Sequence, residues 1–300
     1  MSVNTPNKTS IKPLKAVSLA WVLYLCTEHS VLLNMYHYLF LIFLLGWLSL
    51  PERIMAQTKQ KPLKVALIQA QLAWGNVDAN LDAFGKRIEQ CPDCDLIVFP
   101  ELFTSGCEMK KRDTQEKADT KDIVSQQYLN IIEKMQQWAR QTNALIVGST
   151  IYKEDNLYFN RLLAVYPDGT YQIYDKHNCF KKGSFSPGKE RLIFSWKGFR
   201  FSPYICYDLR FPEWSKNQNE YDIAIYIANW PESRHNDWIK LLEERATENQ
   251  VHVIAVNCVG TDPAGITYGG GSCLLNPDGD VIVRCQDYKE EIQTGQIVEK

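Results

Sequence analysis

Asp95-Leu-Ile-Val-Phe-Pro100 runs directly into Glu101. A short apolar run stopped by a proline has the length and composition of a buried strand, and this one delivers an ionisable side chain at its end. The arrangement recurs twice. Tyr171-Gln-Ile-Tyr-Asp175 runs into Lys176, and Phe201-Ser-Pro-Tyr-Ile205 runs into Cys206. Outward from these, further strands are predicted at Leu63–Ala70, Ala144–Thr150, Arg161–Tyr166, Arg191–Ser195, Asp222–Ala228, His252–Asn257, Ser272–Asn276 and Val281–Cys285. Helical periodicity marks Asp78–Gln90, Ile123–Thr142 and Asp237–Asn249. Alternating strands and helices predict a layered α/β architecture. Two turn triplets, Pro167-Asp168-Gly169 and Pro277-Asp278-Gly279, predict antiparallel hairpins, so the sheets are expected to be mixed.

The first sixty residues differ from the rest. They carry five basic and two acidic residues, and Val31 to Leu50 holds no charge over twenty residues. As a helix that run just crosses a bilayer core of about 30 Å. A signal peptide fits poorly, because the run lies far from the terminus and no clear small-residue cleavage site follows. Two expectations stand side by side: a single membrane segment at 31–50, or a start assigned too early, with Met55 opening the protein proper. Residues 63–300 read as one domain, without internal repeat or low-complexity linker.

Composition narrows the class of partner. With 45% hydrophobic and 23% charged residues the chain is neither collagen-like nor wholly disordered nor a multi-span membrane protein. A net charge of −2 leaves no electrostatic footprint for nucleic acid, so a small molecule is the expected partner. Nine scattered cysteines, an odd number, suggest reduced thiols and a cytoplasmic catalytic domain. Cys91-Pro-Asp-Cys94 lacks the second ligand pair of a zinc site and reads as loop thiols, and no histidine cluster supports a metal. Gly183-Ser-Phe-Ser-Pro-Gly188-Lys189 imitates a phosphate loop, but Glu190 stands where Ser or Thr would hold Mg²⁺.

The three strand-end residues form a coherent chemical set. In open α/β sheets the carboxyl ends of strands line the ligand crevice, so Glu101, Lys176 and Cys206 are candidates to converge. A thiolate attacks carbonyl carbon well, but a free cysteine has a pKa of about 8.5 and needs a base or a cation beside it. Glu101 can take the proton and return it to a departing nitrogen. The Lys176 ammonium and the Tyr207 backbone N–H are candidate donors to the oxyanion. Singly, each residue has an ordinary reading: a core cysteine, or a solvated or mutually paired Glu and Lys.

Context raises them. Phe99-Pro-Glu-Leu-Phe-Thr-Ser-Gly106, Tyr174-Asp-Lys176 and Ile205-Cys-Tyr-Asp-Leu-Arg-Phe-Pro-Glu-Trp214 resemble the three signature blocks of the nitrilase superfamily of carbon–nitrogen hydrolases. The resemblance continues through Tyr226-Ile-Ala-Asn-Trp-Pro231 and Arg245-Ala-Thr-Glu-Asn-Gln250 and covers roughly residues 63–298. Within the superfamily the wording is most similar to bacterial omega-amidases, which hydrolyse the terminal amide of 2-oxoglutaramate to 2-oxoglutarate and ammonia. The resemblance implies a four-layer α-β-β-α sandwich with mixed sheets, usually paired into dimers. It implies Glu101 as general base, Lys176 as oxyanion stabiliser and Cys206 as nucleophile, with no cofactor and no metal.

Around that set, Arg210 is a candidate clamp for a substrate carboxylate, or a structural partner of Asp208 or Glu213. Trp230 is a candidate pocket wall, or a buried packing residue. Two departures from the family pattern stand out. The loop at 178–188 looks shortened and lacks the second glutamate that usually helps hold the lysine, Glu190 being the nearest carboxylate. The chain also stops at Lys300, where the family continues into a tail that packs on the dimer. Other readings remain: an acyl transferase, since membrane apolipoprotein N-acyltransferases carry such a domain beside hydrophobic spans; another branch acting on N-carbamoyl compounds or nitriles; or a low-activity relative.

Overall fold

Strand polarity places the reactive ends of the chain on one side of the molecule. The computed structural model describes residues 61–106, 114–180 and 185–298. Their first sheet contains β1 (Leu63–Gln69), β2 (Leu96–Val98), β3 (Leu145–Glu154), β4 (Leu157–Val165) and β5 (Tyr171–Asp175). The second contains β6 (Phe194–Trp196), β7 (Phe199–Ile205), β8 (Ile223–Ala228) and β9 (His252–Asn257). A short ribbon, β10 (Val259–Thr261) with β11 (Thr267–Gly269), precedes β12 (Cys273–Leu275) and β13 (Val281–Arg284) of the second sheet. The chain then returns to the first sheet as β14 (Glu291–Ile297).

The strand orders are β14-β1-β2-β3-β4-β5 and β13-β12-β9-β8-β7-β6. Each sheet has three parallel strands at its centre, β1-β2-β3 in one and β7-β8-β9 in the other, flanked by antiparallel neighbours. Because β4 reverses direction and β5 reverses it again, β5 runs parallel to β2. Glu101 after β2 and Lys176 after β5 therefore emerge at the same edge.

Four layers follow from how the strands alternate. Leu96 and Val98 face the second sheet, where they meet Phe201, Ile205, Ile223, Ile225, Ile227, Ile254 and Val256 in one apolar layer. Their neighbours Ile97 and Phe99 point the other way. There α1 (Val77–Ile88) and α3 (Tyr128–Thr142) cover them with Leu81, Phe84, Ile131, Met135 and Trp138. On the outer face of the second sheet, Ala224, Tyr226 and Ala228 pack against Trp238, Leu242 and Ala246 of α4 (His235–Asn249). The strands are apolar on both sides because both sides are covered. This is the expected α-β-β-α sandwich with mixed sheets.

Several boundaries differ from expectation. The helix predicted at Ile123–Thr142 is two helices, α2 (Thr114–Gln126) and α3, interrupted at Gln127. The strand predicted at Arg191–Ser195 begins only at Phe194, and β4 begins four residues early because Asp155, at φ 52°, turns a third hairpin. Strand β14 is absent from the sequence reading. It is an edge strand paired only to β1, most of its side chains are not buried, and no apolar run betrays it. Cys91 and Cys94 lie in a loop as expected, but their side chains are buried in the helix-side core.

The described residues belong to one compact unit, Gln60–Lys300. The apolar run at 31–50 lies outside the described residues. Among those described, no helix is long and apolar enough to cross a membrane.

Candidate active site

Glu101 sits just past β2 with 2% of its surface exposed, and both carboxylate oxygens are occupied. Oε1 accepts from Lys176 Nζ at 2.7 Å and from Asn160 Nδ2 at 2.7 Å. Oε2 accepts from the Asn229 backbone N–H at 2.8 Å. Four elements thus meet on one side chain: β2, β4, β5 and the end of β8. A buried carboxylate without partners would be strongly destabilised, and these bonds supply the compensation.

Lys176 is equally enclosed, at 6% exposure. Its backbone N–H donates to Asn160 O at 3.0 Å, which extends the β4–β5 ladder by one residue and sets Lys176 opposite Asn160. Burial alone would discharge the amine, but the negative charges of Glu101 and Asp208, with the neighbouring Cys206, outweigh it and raise its pKa above the ordinary lysine value. The amine is therefore an ammonium. It carries three protons, one of which goes to Glu101. Gly188 secures the same strand end: its N–H donates to Lys176 O at 2.9 Å, and a Cβ on Gly188 would lie 2.1 Å from Asp175 O.

Cys206 follows β7 and opens a 3₁₀ turn, Cys206–Arg210. Its φ is 48°, a left-handed conformation that strains a non-glycine residue and persists only where surrounding bonds enforce it. Asp208 provides the enforcement. Fully buried, its Oδ2 accepts from the Ile205 N–H at 3.0 Å and from Tyr174 Oη at 2.7 Å. Its Oδ1 accepts from the Asn178 N–H at 2.7 Å and from Asn178 Nδ2 at 3.0 Å. Burial raises the pKa of Asp208, opposed by the charge of Lys176 and by these bonds. One carboxylate thereby staples the Cys206 turn to the residues on both sides of Lys176. Cys206 Sγ lies 4.0 Å from Asn229 O, so Asn229 touches Glu101 with its N–H and the thiol with its carbonyl.

The three strand-end residues predicted to converge do converge. The surrounding candidates divide. Tyr207 meets the rings of Phe180 and Phe211 edge-on, with centroids 5.2 and 5.3 Å apart. It lines a cleft of about 310 Å³ together with His177, Cys179 and Phe211. Trp230 is 3% exposed, packs against Trp238 and donates from Nε1 to Arg234 O at 2.7 Å. Arg210 pairs with neither Asp208 nor Glu213. Asp208 is sealed inside with its oxygens occupied, so Arg210 turns outward and donates to Asp237 Oδ2 at 2.6 Å, its guanidinium 4.9 Å from the centre of the Trp230 ring.

Glu190 is exposed, and the ion pair of Lys176 is with Glu101 instead. The second carboxylate that acts electrostatically on the lysine is Asp208. Asp208, Asn160 and Asn229 were missed as site residues. The spacing of Asp208 two residues past the cysteine was a usable signal, whereas the two asparagines announce themselves only through tertiary contact. Among the described residues no group of three or more His, Cys, Asp or Glu side chains is placed to hold a metal ion.

The chain is thus a two-sheet α-β-β-α sandwich that holds a buried carboxylate, an ammonium and a thiol just past the ends of β2, β5 and β7. Residues 64–300 match the carbon–nitrogen hydrolase family, and the chain belongs to it. It is similar to omega-amidase YafV of Escherichia coli (strain K12), with 40% identity over 224 residues covering 73% of this chain and 84% of that protein. It is also similar to the 2-oxoglutaramate amidase of Bacillus subtilis (strain 168), at 28% identity over 73% of this chain and 84% of that one. Among solved structures, the CN-hydrolase superfamily protein XC1258 of Xanthomonas campestris, described with an arsenic adduct in its active site, superposes with a TM-score of 0.73. It is 32% identical and covers 79% of this chain and 91% of its own.

Proposed function

We propose that the protein is a thiol amidase that hydrolyses the terminal amide of a small 2-oxo dicarboxylic monoamide, such as 2-oxoglutaramate, to the acid and ammonia. The carrying observation is the Glu101 carboxylate, hydrogen-bonded to Lys176 at 2.7 Å and to the Asn229 N–H at 2.8 Å, beside a cysteine on a left-handed turn. Similarity to an omega-amidase and to a 2-oxoglutaramate amidase supports the substrate class.

In this reading Glu101 takes the Cys206 proton and the thiolate sulfur bonds to the amide carbon. The carbonyl electron pair moves to oxygen, where the Lys176 ammonium and the Tyr207 N–H receive it. The tetrahedral adduct collapses when Glu101 passes its proton to the nitrogen, so the C–N bond breaks and ammonia leaves a thioester. Glu101 then deprotonates a water that attacks the thioester. Collapse of that second adduct releases the carboxylic acid, and the sulfur recovers its proton from Glu101.

The test is ammonia release by the purified protein across 2-oxoglutaramate, 2-oxosuccinamate, glutamine and N-carbamoyl compounds. Turnover highest on the 2-oxo amides and absent from Cys206→Ala is the expected result. Turnover unaffected by that substitution, or none on any amide, rejects the reading.

A further inference from the structure

The rim of this site carries two guanidinium groups in different circumstances. Arg210 is occupied by Asp237. Arg234 has no carboxylate partner among the described residues. Its guanidinium carbon lies 4.8 Å from the centre of the Phe180 ring and 5.9 Å from that of Trp230, so it is bracketed by two aromatic faces. Its backbone is fixed on both sides, the N–H donating to Pro231 O at 3.0 Å and the carbonyl accepting from Trp230 Nε1 at 2.7 Å.

Two short chains of contact join this group to the nucleophile. Phe180, which Arg234 covers, meets Tyr207, the residue after Cys206. Trp230, which Arg234 also approaches, follows Asn229, whose carbonyl faces Cys206 Sγ. Cys206 also packs against the apolar cluster that contains Trp230. A guanidinium held against aromatic faces keeps its charge and its in-plane N–H fork while losing part of its hydration. That edge is matched to a carboxylate, which it can bind through two parallel hydrogen bonds.

We propose that Arg234 is the specificity-determining residue of this site, binding the free carboxylate at the far end of a dicarboxylic monoamide while the amide end lies over Cys206. The proposal rests on the amidase reading above. Arg210 is the weaker choice because a substrate would have to displace Asp237 from it. An amide with an uncharged tail makes no such contact and is bound less well.

Two measurements on Arg234→Gln and Arg234→Lys test this. The first is kcat/KM for 2-oxoglutaramate divided by that for an uncharged aliphatic amide of the same length. Arg234→Gln is expected to lower this ratio by about tenfold to hundredfold, mostly through KM, and Arg234→Lys to recover part of it. The second is the rate at which iodoacetate alkylates Cys206 relative to iodoacetamide, read on the Cys206 peptide by mass spectrometry. Loss of a nearby cation is expected to lower that ratio by about threefold or more. Equal losses on both amides with an unchanged alkylation ratio assign Arg234 a structural role and overturn the proposal. If the wild-type protein hydrolyses neither amide, the amidase reading fails. The alkylation ratio still decides whether Arg234 presents its charge to Cys206, and an unchanged ratio overturns it.

Discussion

The centre of the site and its rim are stabilised in opposite ways. At the centre, Glu101, Lys176 and Asp208 are buried, and each carboxylate oxygen already has a donor. At the rim, Arg210 and Arg234 are partly exposed and lie beside aromatic faces at distances of 4.8 to 5.9 Å. The centre is thus a preorganised electrostatic device whose geometry is set by folding. The rim, under the proposal above, is where the substrate's tail is recognised. Substitutions at the centre should lower turnover of every amide and often stability as well, whereas substitutions at the rim should change which amide is preferred.

The largest break in this contrast comes from Cys206→Ala, expected to lower kcat by about 10⁴-fold or more, with circular dichroism unchanged. Lys176→Met follows. It leaves Glu101 buried without its cation, so urea denaturation should show a loss of about 3–5 kcal/mol along with the loss of turnover.

Asp208→Asn removes acceptor capacity from the staple, and a loss of about 1–3 kcal/mol is expected. Its pH dependence has a definite sign. Burial holds the Asp208 pKa above the ordinary carboxylate value, so the folded protein binds that proton more tightly than the unfolded chain. Its contribution to stability therefore declines as pH rises from the ordinary value through the raised one. Replacement by Asn should flatten that part of a stability-versus-pH curve.

Asn160→Ala should lower kcat by about tenfold with little change in KM, because Asn160 positions Glu101 and has no assigned contact with substrate. Arg210→Ala is expected to be the mildest. Its ion pair with Asp237 is partly exposed, so the stability change should stay within about 1 kcal/mol.

The same contrast explains what was legible in the sequence. Strands covered on both faces, such as β2 and β8, are continuous apolar runs, and the carboxylate of Glu101 stands out just past the first of them. Lys176 follows an edge strand with mostly exposed side chains and Cys206 a strand interrupted by Arg200 and Ser202, so those two are legible through the motifs around them. Strand β14 was not legible, because an edge strand with half-exposed side chains has no such signature. Asn160 lies inside β4, 59 residues from the glutamate it holds, and local pattern carries no information about that meeting. Arg210 and Arg234 look alike in sequence. Only the placement of Asp237 at the start of α4 separates the occupied guanidinium from the other one.

The central claim is that Cys206 carries the acyl group between two half-reactions. A single turnover with 2-oxoglutaramate, quenched in acid and digested, tests it through the mass of the Cys206 peptide. A 2-oxoglutaryl thioester on that peptide, appearing with the first equivalent of ammonia and decaying as 2-oxoglutarate forms, is the predicted result. Ammonia released at the wild-type rate with no adduct on Cys206, and still released by Cys206→Ala, would contradict it.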